Sequence, residues 1–254
     1  MSTPTPSPQG PGGGPNPLLV GGVSFAAVFV LIVGGALGYV GLTGGESTDP
    51  PTSSASASST PESTSASPTE EERCWSPMDY QRTSTNPSGR LRGGGLEIVP
   101  PTVFDGRGSS NYASFLNDDT TASAVVEGNW ASMITVGLVE WQPGVEYPGN
   151  EAASQRIFTC LYSNGAAWGD TSGRTMHDQL TEAVTVAGMP GYRTTGELRF
   201  GQDDLELTDA SRITVVVLES PQGPSVFLSE VAVGVTEHED AAREAYDSIT
   251  GVSG

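Results

Sequence analysis

The stretch 181–200, TEAVTVAGMPGYRTTGELRF, with 213–218, ITVVVL, and 225–235, SVFLSEVAVGV, decides the fold. Thr181 to Val186 alternates, a turn is expected at Gly188-Met189-Pro190-Gly191, and Tyr192 to Phe200 follows as a second strand. Ile213 to Leu218 is a β-branched run, and Ser225 to Val235 alternates again. The four segments predict an antiparallel meander. Upstream, Ala124–Glu127 and Ala131–Glu140 predict a hairpin around Gly128-Asn129, and Leu96 to Val99 a short opening strand.

Two helices flank these strands in the sequence. Asn150 is expected to cap a segment in which Ala153, Ile157, Cys160 and Leu161 form one buried stripe, ending at Asn164-Gly165. The second is expected to open with a Thr236-x-x-Glu239 capping box, to carry Ala242, Ala245, Tyr246 and Ile249 on one face, and to stop at Gly251. The expected class is α+β, an antiparallel sheet flanked by helices.

These same segments carry a resemblance. Thr181 to Tyr192, Ile213-Thr-Val-Val-Val, Ser225-Val-Phe-Leu, the closing helix and the helix ending in Cys160-Leu161 resemble the extracytoplasmic domain of a family of single-pass membrane proteins of actinobacteria. More distantly, the order of hairpin, helix, meander and terminal helix resembles PsbP/Mog1-like lipoprotein domains, which pack an antiparallel sheet between helices. The resemblance spans about residues 95 to 252 and supplies no catalytic residues. The chain departs from those relatives at Pro190-Gly191-Tyr192, where a large aromatic often follows Pro-Ala.

Outward from this domain, 74–254, the chain changes character. Residues 1–17 hold six Pro, four Gly and no charged side chain, and predict a disordered arm with too little apolar surface to offset ordering. Its Ser/Thr-Pro dipeptides and the Pro8-x-x-Pro11 spacing match kinase and polyproline-reader patterns only loosely. Leu18 to Thr43 contains no charged residue and is long enough for a helix crossing the roughly 30 Å hydrocarbon layer. A cleaved signal peptide is the competing reading, against which stand the length of the run and the lack of a basic leader. Gly34, Gly38 and Gly41 within it, with Gly45 just past its end, form a small-residue seam suited to homodimerisation through the membrane helix. Residues 44–73, rich in Ser, Thr, Pro and acid, predict a disordered stalk averaging roughly 30 Å end to end, as an unmodified spacer or an O-glycosylated one. The acidic stalk and the placement of both cysteines beyond it favour a cytoplasmic N-terminus and an extracytoplasmic C-terminal domain at the cell membrane.

The 254 residues carry 30 acids against 11 cations, all of them Arg, for a formal charge of -19. Such a surface repels phosphate backbones, so nucleic-acid binding is not expected. Cys74 and Cys160 are the only thiols; an even count beyond the membrane predicts a disulfide, the other reading being a plain core thiol at Cys160.

His177 and His238 are the only histidines. His238, at the start of the closing helix, is expected to face water. His177, near Asp178 and Ser172, is the one conceivable general base, yet no G-x-S-x-G elbow accompanies it. Without a His/Cys cluster no metal or cofactor is expected. The acids Asp118-Asp119 and Asp203-Asp204-Leu205-Glu206, with Asp209, lack EF-hand spacing and are expected to face water. Arg90 and Arg92 with Gly93–Gly95 form a cationic, Gly-rich spot that suggests an anion nest. The expectation is a non-enzymatic binding or assembly module of the envelope with a protein partner. The alternatives are a ligand sensor with a closed pocket lined by residues such as Trp130, Trp141 and Trp168, and a hydrolase using His177.

Overall fold

The computed structural model describes residues 71–110, 112–169, 171–202 and 204–253. The expected arm, membrane helix with its glycine seam, and stalk to residue 70 lie outside the described residues. Among the described residues no helix is long and apolar enough to cross a membrane.

A seven-stranded antiparallel sheet organises the domain. Its strands are β3 (Gly106–Gly108), β4 (Leu116–Glu127), β5 (Trp130–Val139), β6 (Thr175–Val186), β7 (Met189–Arg199), β8 (Ala210–Ser220) and β9 (Gly223–Ala232), in the spatial order β3-β4-β5-β9-β8-β7-β6. A small second sheet joins β1 (Leu91–Gly93), β2 (Leu96–Ile98) and β10 (Thr250–Gly251), with β2 central. The helices are α1 (Asn150–Ser163) and α2 (Thr236–Asp247). The α+β class and the antiparallel meander are as expected.

Both faces of the large sheet are buried at its centre, where β8 carries the apolar run Val215 to Leu218. It sends Ile213, Val215 and Val217 to one face, into a core with Ile157, Phe158 and Leu161 of α1 and with Trp168. Val216 and Leu218 point to the other, against Ala241, Ala242 and Ala245 of α2 and Leu91, Leu96 and Ile98 of the small sheet. The alternation of one segment thereby dictates two cores.

Cys74 and Cys160 form a disulfide across 86 positions, with Cα atoms 5.5 Å apart. It pins the chain entering the domain to the buried face of α1. Closing a loop of that size removes denatured-state entropy equivalent to roughly 4.5 kcal/mol in the chain-entropy model.

Several local expectations are corrected. The β6–β7 turn is Ala187-Gly188, with φ of 50° and 81°, as a two-residue type I′ hairpin requires; Met189 to Gly191 already belong to β7. Strand β6 begins at Thr175 and β4 at Leu116, earlier than apolar alternation suggests, because their first halves are polar and held by backbone pairing to a neighbour. Asn150 is not the cap of α1: Gly149 holds that place with φ 89°, and the Asn150 Oδ1 accepts from the Tyr147 hydroxyl at 2.7 Å. The capping box of α2 does not form, since Val235 takes the cap position and Glu239 is drawn away by Arg212 at 3.0 Å. The helix ends at Asp247, ahead of Gly251, which instead pairs with Leu96 in the small sheet.

Candidate functional site

The alternation that seals the α1 face leaves part of the α2 face uncovered. Helix α2 lies over β9 and β5, and its small residues Ala241, Ala242 and Ala245 let it sit close to them. Beside it, β7 and β8 carry polar residues at the same alternating positions. Strand register lays Thr195, Thr214 and Ser229 in one row across β7, β8 and β9. The flanking rows are Arg193-Val216-Phe227 and Glu197-Arg212-Val231. All of these but Val216 and Glu197, together with Tyr246 and Arg243 of α2, line a cleft of about 270 Å³, open to solvent.

Its charges are paired around a hydroxyl floor. The Arg193 guanidinium donates to Glu182 at 2.5 Å and lies over the Tyr246 ring, 5.9 Å from the centroid. That hydrogen bond from Arg193 to Glu182 holds the guanidinium above its ordinary pKa. Arg212 bridges Glu197 at 3.3 Å and Glu239 at 3.0 Å, and Arg243 pairs with Asp240. Hydrogen bonds from Arg199, aided by Arg212, keep the Glu197 carboxyl below its usual value. Exposed pairs of this kind are worth about 0–1 kcal/mol each, so an incoming polar ligand can take over either partner at small cost. Three guanidiniums, their carboxylates, three hydroxyls and an aromatic wall suit recognition of a polar ligand bearing groups of both signs.

Other candidate residues are placed elsewhere. His177 bonds Thr175 Oγ1 at 3.0 Å, while Ser172 Oγ donates to Gln202 at 3.3 Å, so the structure does not bring that histidine and serine together as a bonded pair. His238 does not face water: it is 5 % exposed, its Nδ1 lies 3.0 Å from Ser132 Oγ of β5, and its ring sits against Phe104. A strand 106 positions away supplies its partner, which local sequence cannot show.

Asp118 and Asp119 are also buried, not solvated. Burial pushes the Asp118 carboxyl up, but donors from Ser84, Thr83 and Gly94 outweigh it and hold the pKa below the usual carboxylate range. Those donors include the backbone N–H of Thr83 and Ser84 at 2.7 Å and of Gly94 at 3.0 Å. Of the Gly-rich spot, the Gly94 N–H is therefore taken by the chain's own Asp118 carboxylate and the Gly95 N–H by Ser225 Oγ at 3.1 Å, and Arg90 and Arg92 both clamp Glu97 at 2.9 and 2.7 Å. Gly93 is needed for close approach: a Cβ there would lie 2.3 Å from the Val136 carbonyl oxygen. Asp119 sits where burial raises its pKa against the N–H of Ser110.

Glu206 and Leu207 donate their N–H groups to Glu127 and Asp209 accepts from Phe200 N–H, whereas Asp203 lies outside the described residues. Among the described residues no group of three or more His, Cys, Asp or Glu is arranged to hold a metal. The tryptophans do not line one closed pocket. Trp168 is fully buried and donates to Leu161 O at 3.0 Å. Trp141 stacks on Phe115 with centroids 4.2 Å apart, and Trp130 lies edge-on to Phe200. Trp130 alone of the three lines a second open cleft, with Leu205 and Tyr112.

The cleft beside α2 escapes a reading from sequence because no motif marks it. Its one legible sign is alternation: Arg193, Thr195 and Glu197 share a face of β7, and Arg212 and Thr214 a face of β8. Where the closing helix lands relative to that polar face is a tertiary fact.

No family model and no curated protein matches the chain. Among solved structures it is similar to the solution structure of cyanobacterial PsbP (CyanoP) from Synechocystis sp. PCC 6803, at 14% identity and a TM-score of 0.39, covering 64% of this chain and 93% of that one. The likeness is to a PsbP-like protein, the more distant of the two resemblances drawn from the sequence. Nothing found bears on the actinobacterial one.

Proposed function

We propose that this chain is a single-pass membrane-anchored, extracytoplasmic binding or assembly module of the cell envelope, with a PsbP/Mog1-like domain held off the bilayer by its stalk, and that it binds a partner without catalysing a reaction. The observation that carries this reading is the cleft between α2 and β7–β9, whose guanidiniums, carboxylates and hydroxyls are arranged for recognition. The Cys74–Cys160 disulfide supports the oxidising side of the membrane, and the uncharged run 18–43 supports the anchor. The hydrolase reading finds no support in the bonding of His177 to Thr175 and of Ser172 to Gln202.

A second reading, a small-ligand sensor, draws on the size of the same cleft, about 270 Å³, close to the lower bound for small-molecule sites. Crosslinking in intact cells, followed by purification through a C-terminal tag, tests the first reading. The expected result is a stoichiometric envelope protein with the wild type that is lost with Thr214→Trp, which fills the cleft floor. Recovery of the chain without any other protein would overturn the assembly reading and leave the sensor to be tested with envelope ligands.

A further inference from the structure

The large sheet ends differently at its two edges. One edge is β3, only three residues long, Gly106-Arg107-Gly108, too short to template a further strand. The other is β6, 12 residues long. A bulge with Asp178 at φ 51° interrupts its first half, the usual protection of an edge. From Leu180 to Val186 the pairing with β7 is unbroken and no such device is present. This half contains one charged residue, Glu182, which Arg193 of the same chain already holds. Leu180 is 56% exposed, a large apolar side chain that the described residues leave uncovered.

The turn fixes which backbone groups face outward. Val186 and Met189 close a two-residue turn and point their amide and carbonyl groups at each other. Directions alternate along an antiparallel strand, so Leu180, Glu182, Val184 and Val186 bond to β7 while Thr181, Ala183 and Thr185 turn both backbone groups away from it.

We propose that β6 pairs antiparallel with β6 of a second copy of this chain, about a two-fold axis at Ala183. This register sets Ala183 opposite Ala183, Thr181 opposite Thr185, Glu182 opposite Val184 and Leu180 opposite Val186. Both backbone groups of every outward residue find a partner, and Leu180 gains an apolar neighbour. No carboxylate faces another, which decides between registers in a domain carrying 24 acids and 10 arginines over residues 74–254. Centring the pair on Thr181 would run the partner into the bulge at Asp178, and centring it on Thr185 would run it into the Ala187-Gly188 turn. An axis at Glu182 would set that carboxylate against its copy, and one at Val184 would bring Thr181 onto the turn, so only the Ala183 register pairs all of Leu180 to Val186 within regular strand. The axis is perpendicular to the sheet, so the sheet continues through both copies and their clefts open on the same side. This inference does not depend on what the cleft binds.

The test is disulfide trapping of the full chain in intact cells. Among the described residues no cysteine is free, so Ala183→Cys supplies the reactive thiol. Under mild oxidation it should give a covalent dimer as the main product on a non-reducing gel, with Arg107→Cys on the opposite edge giving at least tenfold less. Light scattering of the purified full chain should show a dimer whose fraction rises with salt as like-charge repulsion is screened. Ala183→Pro removes an outward N–H that the β6–β7 ladder does not use and should leave the far-UV spectrum intact while abolishing the dimer. The proposal is overturned by trapping at position 183 no stronger than at 107, by capture of a different protein at 183, or by a wild-type chain that is monomeric at all salt concentrations. A dimer that persists in a folded Ala183→Pro variant overturns it equally.

Discussion

The two faces of the seven-stranded sheet start from the same alternating strands and end with opposite surfaces. On the α1 face the apolar positions meet large rings: Phe158 and Trp168 are fully buried, Phe115 stacks on Trp141, and the disulfide ties the incoming chain over the helix. On the α2 face the helix contributes mostly alanines. It covers β9 and β5 closely and leaves a cleft over β7 and β8. Bulk and crosslinking are concentrated on the first face, and the second keeps an open cleft where the small helix leaves Arg193, Thr195, Arg212 and Thr214 uncovered. The difference teaches that a cleft can arise from the volume of a helix's residues as much as from its position.

Breaking the α1 face should cost most. Trp168→Ala removes a fully buried ring and its hydrogen bond to Leu161 O, and should lower stability by about 3–5 kcal/mol in urea unfolding. Replacing both cysteines by serine should cost about 3 kcal/mol, less than the full loop-closure value because denatured chains retain structure. The thermal midpoint with and without the pair measures this.

Glu230 sharpens the comparison from within the same core. Its register partners are Met133 and Ile213, it is 2% exposed, and its Oε2 has no hydrogen-bond partner among the described residues. Burial pushes its carboxyl up to about 8. Between the ordinary carboxyl value near 4.3 and about 8, the unfolded chain has released this proton while the folded chain still holds it. Stability from this group is thus greatest below pH 4 and is lost as pH rises toward 8. Glu230→Met should remove that slope, stabilising the domain by a few kcal/mol at pH 8 and by much less at pH 5. Parallel slopes of wild type and variant from pH 5 to 8 would contradict the assignment.

On the α2 face the corresponding change is small. Arg212→Ala breaks pairs to Glu197 and Glu239 whose guanidinium is about half exposed, and should alter stability by less than about 1 kcal/mol. Its effect belongs in binding, so a variant that unfolds like the wild type yet loses its partner separates the two faces cleanly.

Legibility in the sequence follows the same division. Strand β8 stands out by its β-branched run and β9 by its alternation, and the disulfide because only two cysteines exist. The first half of β6 and the polar start of β4 are hidden, since pairing with a neighbouring strand and not side-chain pattern makes them strands. His238 reads as a surface residue until Ser132 and Phe104 close around it. Asp118 finds its donors at Thr83, Ser84 and Gly94, on segments no local rule connects. The cleft was half legible: alternation put Arg193 and Thr195 on one face, but only the landing place of α2 turns that face into a wall.

The most direct test of the central claim, that the open face beside α2 is the binding surface, places a photo-crosslinking residue at Arg243 on the cleft rim or at Gln155 on the exposed side of α1. The full chain is irradiated in intact cells, purified, and read by intact mass. A defined adduct at 243 and none at 155 is the predicted result. Equal adducts at both positions, or an adduct at 155 alone, would contradict it.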